Sequence, residues 1–288
     1  MKSFIKQLHI WLSIPLGVII SIICFTGAIL VFEPEITQAV HSEYYYVDSV
    51  QGEPLPMEVL RDNVKATLNE GESIKDVVVD GDPERTYMFK IVKSGKKSKP
   101  QTLYVDQYSG EVIGTPERLP IFRESFRLHR WLMDVPLTKG EMTFGKLVVG
   151  ISTLAMVILL ISGIVLWWPK GIKMLKNRTK VAVTKGWRRF YYDLHVSAGM
   201  YATVLLLIMA LTGLVWSFEW YKDGFYALFG DGAREWLRAL HTGSIGGVTT
   251  KILWCIGAII GGTLPLTGYY LWIKRKFCKR KSNCQCER

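Results

Sequence analysis

The chain has 288 residues, 49% of them hydrophobic, a mean hydropathy of +0.17 and a formal net charge of +11. The apolar content is high for a soluble protein, and the length allows a small helical bundle plus one modest extra domain. Five cysteines make no disulfide framework, and the basic residues flank apolar blocks rather than forming a separate nucleic-acid-binding region, so nucleic acid is not an expected partner.

The first apolar block, residues 10–32, follows Lys2 and Lys6. It is long enough for a helix to cross a ~30 Å hydrocarbon core. It runs into Glu33-Pro34-Glu35 with no small-x-small cleavage site, so it reads as a retained anchor and not a signal peptide. Residues 1–48 are assigned to this span and its outer extension.

Residues 49–116 read as a small soluble α+β unit. Met57, Leu60, Val64 and Leu68 fall at helical spacing within 56–69. Strand-like runs follow at Ile74 to Asp80, Thr86 to Val92 and Thr102 to Asp106. Ser109-Gly110 then supplies a turn before Glu111 to Ile113. Ser94 to Pro100 reads as a basic hairpin loop. The unit shows no nucleophile–base pair, metal cluster or phosphate loop. It reads as a folding or docking module, with substrate contact as the alternative.

Residues 117–277 contain three further blocks, 145–168, 196–218 and 252–273. Between the second and third lie Lys170, Lys173, Lys176, Arg178, Lys180, Lys185, Arg188 and Arg189, with no acid from 169 to 189. After the fourth come Lys274, Arg275, Lys276, Lys279, Arg280 and Lys281. The positive-inside rule makes these segments and the N-terminus cytoplasmic. Both termini are then inside, with 33–144 and 219–251 outside. Cys24 and Cys255 lie within spans as small apolar fillers. Cys278, Cys284 and Cys286 fall in a basic cytoplasmic tail, 278–288, where a metal site lacks a fourth ligand.

Four of the five histidines follow a leucine at or shortly before an apolar block: His9, His129, His195 and His241. His41 does not, and reads as a loop residue. His9 precedes Gly27 of Thr26-Gly27 by 18 residues, and His195 precedes Gly213 of Thr212-Gly213 by 18. Eighteen residues are five helical turns, which puts each histidine and its glycine on one face. Ser162-Gly163 before Trp167 matches Thr267-Gly268 before Trp272. The spans thus look like a helix pair repeated, 1–2 as 3–4. Helices one and three run outward, which puts His9 and His195 at the cytoplasmic face and His129 and His241 at the outer face.

An ionisable group in a span is costly and usually functional, and neutral imidazole is an axial ligand for haem iron. Two bis-histidine haems b, His9 with His195 and His129 with His241, explain the matched positions economically. A histidine at a helix end can also be an interfacial side chain. Pro136 and Gly140 separate His129 from its block, which suggests a short separate helix or a kinked extension. Gly27 and Gly213 suit close approach of helices or of a flat macrocycle. Arg130, Arg189 and Arg238, with Arg188, are candidates for haem propionates; the two cytoplasmic ones also serve as topology signals. Trp167, Trp168, Trp216, Trp220 and Trp272 fit an aromatic belt, with haem packing as the alternative.

The Leu-His starts, the Thr-Gly and Ser-Gly pairs and the Gly-Ile-Val-Leu-Trp-Trp-Pro ending at 163–169 together resemble the PepSY-associated transmembrane helix family. The segment Leu-Tyr-Val-Asp-Gln-Tyr-Ser-Gly-Glu-Val-Ile-Gly at 103–114 is similar to a PepSY-domain signature. The resemblance implies an all-α, four-span membrane protein with a small α+β PepSY-like periplasmic insert, in the bacterial inner membrane. It implies a di-haem cytochrome that reduces a ferric siderophore or other Fe(III) chelate on the periplasmic side, with His9, His129, His195 and His241 as the haem ligands. The acceptor is expected between the insert and the 219–245 loop. No Gly-x-Gly-x-x-Gly fingerprint appears, so the donor is expected to be quinol or a cytoplasmic reductant. Outer-sphere transfer needs no catalytic acid or base. The alternatives are a di-haem subunit serving another periplasmic acceptor and a non-catalytic PepSY-type regulator or anchor.

Overall fold

A computed structural model describes residues 2–93, 100–138 and 140–286, with side chains as far as residue 276. The hairpin loop at 94–99 and the side chains of Cys278, Cys284 and Cys286 lie outside the described residues. Two compact units emerge: residues 1–32 with 121–288, and residues 33–120.

The first unit is built on four helices long and apolar enough to cross a membrane. The first is α1 (Lys2–Val31), which contains Pro15. The insert unit then holds α2 (Glu33–Val40), α3 (Ser42–Tyr45), α4 (Met57–Thr67), β1 (Glu72–Val78), β2 (Tyr87–Lys93), β3 (Gln101–Val105) and β4 (Val112–Gly114). The chain continues through α5 (Pro120–Trp131), α6 (Phe144–Trp167) and α7 (Ile172–Arg178). The third span is one run in which α8 (Trp187–Asp193) passes through a π-helical turn, Leu194–Ala198, into α9 (Gly199–Ser217). Two short helices, α10 (Glu219–Phe229) and α11 (Ala233–Thr242), lead to the long α12 (Gly247–Cys286), which contains Pro265.

The spans close in the order α1, α6, α9, α12, each touching two neighbours. Their shared core is Ile20 and Cys24 from α1, Met156 and Leu160 from α6, and Ala202 and Leu206 from α9, with Ile260 and Leu264 of α12 against it. Lipid supplies no hydrophobic drive between spans, so close backbone approach and interhelical hydrogen bonds matter. A Cβ added to Gly262 would lie 2.7 Å from the Phe25 ring. Beside that contact Ser21 Oγ donates to the Gly262 carbonyl at 2.8 Å, and Tyr269 Oη donates to Ile14 at 2.6 Å.

Span ends are fixed locally. Thr143 caps α6 by accepting from Lys146 N, and the Asp134 carboxylate accepts from Gly145 N at 2.8 Å. Trp168 and Pro169 end it. Arg178 folds back to donate to the Leu166 and Trp167 carbonyls left open there. Buried Asp193 holds the connecting segment, accepting from Ala182 N at 3.1 Å and Arg189 Nε at 2.8 Å.

The insert unit is an antiparallel meander in the order β1-β2-β3-β4. Phe89 and Ile91 point to one face of β2, as alternation requires, and bury against Leu60 and Val64 of α4 and Val105 of β3. The unit reaches beyond 49–116. A bridge pairs Tyr46 with Arg85, Val47 N donates to Glu84, and Arg118 grips Glu33 with two nitrogens at 2.5 and 2.8 Å. Bidentate pairing of this kind fixes geometry as well as charge.

Candidate metal centres

Each of the four leucine-preceded histidines is seated by the same device. His129 lies on α5, separate from α6, and its Nδ1 is 2.8 Å from the Ile23 carbonyl and 3.4 Å from Thr26 Oγ1. His241, on α11, places Nδ1 3.0 Å from the Met209 carbonyl and 3.0 Å from Thr212 Oγ1. His195 Nδ1 is 3.1 Å from the Leu264 carbonyl and 3.0 Å from Thr267 Oγ1. His9 Nδ1 is 2.8 Å from Ser162 Oγ, with the Leu159 carbonyl beside it.

In every case the hydroxyl belongs to a Ser/Thr-Gly pair and the carbonyl lies four residues before the glycine. The glycine explains the arrangement, because a Cβ there would meet the imidazole Cε1. The distance would be 2.9 Å at Gly27, 3.2 Å at Gly213, 3.5 Å at Gly268 and 3.9 Å at Gly163. Without a side chain, the preceding turn's carbonyl stays open to a second donor.

These bonds fix the tautomer. A carbonyl only accepts, and Ser162, Thr26, Thr212 and Thr267 each donate their own hydroxyl proton within their helix. Each Nδ1 therefore carries the hydrogen, and each Nε2 keeps a bare lone pair. Burial lowers the pKa of His129, and it holds His241, which also neighbours His129, at about 4. Both imidazoles are thus neutral at pH 7, the form that binds metal.

The rings pair across the bundle. His9 and His195 have ring centres 6.4 Å apart at 83°, and His129 and His241 have centres 6.2 Å apart at 61°. An imidazole nitrogen sits about 2.0–2.1 Å from the metal it binds, so two rings on opposite sides of one ion have centres about 6.3 Å apart. The ring-centre separations of both pairs match that spacing. Among the described residues no group of three or more His, Cys, Asp or Glu is arranged for a metal, so any ion held here takes its remaining ligands from elsewhere.

Seating and pairing follow different partners. His9 and His129 sit on Ser162 and Thr26, within the first half of the spans. His195 and His241 sit on Thr267 and Thr212, within the second. Each pair then joins one ring from each half.

A profile of the family described as PepSY-associated TM region matches residues 6–233 and 224–275. The chain belongs to that family. The two matched segments take in all four spans of this PepSY-associated TM protein and all four paired histidines. Among curated proteins, none matches the chain.

The remaining sequence candidates fall differently. Gly27 and Gly213 face histidine rings. Arg189 is held by Asp193. Arg238 is exposed on α11. Arg130, next to His129, stacks over Trp131 with its ring centre 5.2 Å away, and its Nε is buried without a partner. His41 lies in the insert unit, 3.4 Å from Glu43. Trp216 packs 5.0 Å from the His241 ring, a place that its position at a span end did not reveal. The Ser/Thr-Gly doublets were visible in the sequence as packing sites; their part in orienting imidazoles follows only from the fold.

Proposed function

We propose that this PepSY-associated TM protein is a di-haem b-type cytochrome of the bacterial inner membrane. It carries electrons outward to a ferric siderophore or another Fe(III) chelate, drawn from quinol or a cytoplasmic reductant. The observation that carries this reading is the pair of imidazole couples, 6.4 and 6.2 Å between ring centres, each with Nδ1 bonded away and Nε2 free. Two protein nitrogens and no third protein ligand among the described residues suit a macrocycle that brings its own donors, and neutral histidine is its usual protein nitrogen ligand.

His9 and His195 would hold one haem, and His129 and His241 the other. Bound haem supplies one-electron Fe(III)/Fe(II) chemistry at two depths of a ~30 Å crossing. The chain's own contribution is orientation. The carbonyl and hydroxyl at each Nδ1 lock ring rotation and raise the basicity of Nε2, as outer partners of ligating histidines do. The core of Ile20, Cys24, Met156, Leu160, Ala202 and Leu206 between the two levels excludes water. Arg130, with its buried Nε, would supply a cation for a propionate beside His129.

The test is a reduced-minus-oxidised spectrum of the purified protein, with haem counted per chain. Two b-type haems are expected, with His195→Ala and His241→Ala each removing one. Absence of b-type bands overturns the reading. Mixing the reduced protein with ferric siderophores should oxidise it; haem that stays reduced overturns the iron role in favour of another acceptor.

A further inference from the structure

Helices α10 and α11 leave a large apolar surface uncovered. At about 100° per residue, Trp220, Tyr221, Phe225, Leu228 and Phe229 fall on one half of α10, and Lys222, Asp223 and Tyr226 on the other. The polar half lines a hollow together with Arg234 of α11. The apolar half stays open: Trp220 is 66% exposed, Leu228 76% and Phe229 52%. α11 extends it. Trp236, itself 39% exposed, sets its ring 5.7 Å from Phe225 and 5.6 Å from Phe229.

The depth of this face follows from the seat of His241. That ring meets Thr212, five residues short of Ser217, the last residue of α9. Trp236 stands five residues before His241 on α11. Five residues of helix advance about 7.5 Å, so Trp236 lies no farther out than about the end of the span, and Phe225 and Phe229 pack against it there. The start of the face is tied to the same level. Phe218 alone separates α9 from α10, and its ring stacks on Trp220 with centres 5.9 Å apart. The face is thus continuous with the lipid-facing surface of the spans, and Trp and Tyr are the side chains enriched at that depth.

We propose that α10 and α11 form an interfacial anchor, which lays Trp220, Leu228, Phe229 and Trp236 into the headgroup–acyl boundary of the bilayer at the His129/His241 end. The polar half of α10 then faces water. Amphipathic helices divided in this way lie in the plane of the interface. Lipid is the occupant already present at that level, whereas a partner protein would have to displace it. Because α11 carries His241, the anchor also restrains the helix that brings that ring to its seat. The proposal is independent of what the paired histidines hold.

The test uses the full-length protein in vesicles of phosphatidylethanolamine and phosphatidylglycerol. The vesicles carry a phospholipid with an aryl diazirine near the glycerol end of one acyl chain. After irradiation, adducts are mapped by mass spectrometry. Ile252 and Ile256, exposed on the α12 span at the same end, give the lipid-facing reference. Adducts are expected on Trp220, Leu228, Phe229 or Trp236 at a level comparable to that reference, with several-fold fewer on Asp223 and Arg234. Leu228→Gln combined with Phe229→Gln should lose most of the hairpin adducts while Ile252 and Ile256 keep theirs. An unlabelled hairpin beside a labelled α12 overturns the proposal, and so does equal labelling of both halves of α10. Cross-links between copies that run through Phe229 or Trp236, and that persist as the protein is diluted in lipid, also overturn it and assign the face to a second copy. If the glutamine variants fail to fold, labelling of the wild-type protein decides, since it needs no substitution.

Discussion

At the scale of single residues, the four glycines beside the histidines rank themselves. A methyl at Gly27 would sit 2.9 Å from the His129 ring, whereas at Gly163 it would make ordinary contact with His9 at 3.9 Å. Gly27→Ala should therefore push His129 off its carbonyl and weaken haem binding at that centre by about 10–100-fold, the usual effect of disturbing a ligand's outer partner. Gly163→Ala should leave the haem count unchanged, with Gly213 and Gly268 in between. Haem per chain across the four alanine variants checks the order. Thr212→Val keeps the shape but removes the hydroxyl at His241. Because the Met209 carbonyl still accepts from Nδ1, we expect the haem to stay and only its midpoint to shift. The four histidines stood out in the sequence through the Leu-His starts, and which of them lie together followed from the levels that span direction gives them. The seats were not legible, because a carbonyl carries no sequence signal and its lone pair opens only where a glycine from another helix comes alongside.

At the scale of elements, α4 and the strands were readable from periodicity, since a half-buried surface imposes it. Phe89 is fully buried between α4 and the sheet, and Phe89→Ala should cost the insert unit about 3–5 kcal/mol, measured by denaturant unfolding. The third span shows what periodicity misses. His9 sits in regular α-helix and His195 in a π-helical turn, so equal spacing in sequence conceals different winding. Such turns often mark functional sites. Here Ser197 of that turn donates to the Arg178 and Lys180 carbonyls, and Asp193 just before it ties Ala182 and Arg189. Asp193→Ala strands Arg189 and the Ala182 amide together. It should lower the thermal unfolding temperature and loosen the 170–186 segment to proteolysis, while the His129/His241 centre is retained.

At the scale of the whole molecule, four apolar runs fixed the number of spans, because bilayer thickness leaves no shorter solution. Four spans predict that the segments before the first and after the fourth lie on one side. Reporter fusions after residues 32 and 276 should therefore report opposite faces, and a fusion at residue 60 should agree with the one at 32. The sequence by itself determined the spans, the repeat and which histidines share a level, since each follows from length, charge and spacing along one chain. The tertiary structure alone decided that histidines are seated within each half and paired between halves, that Trp216 meets His241, and that Lys146 and Lys251 are buried. Those facts depend on which helix faces which, and packing across the bundle sets that, while the order of residues within any one helix does not record it.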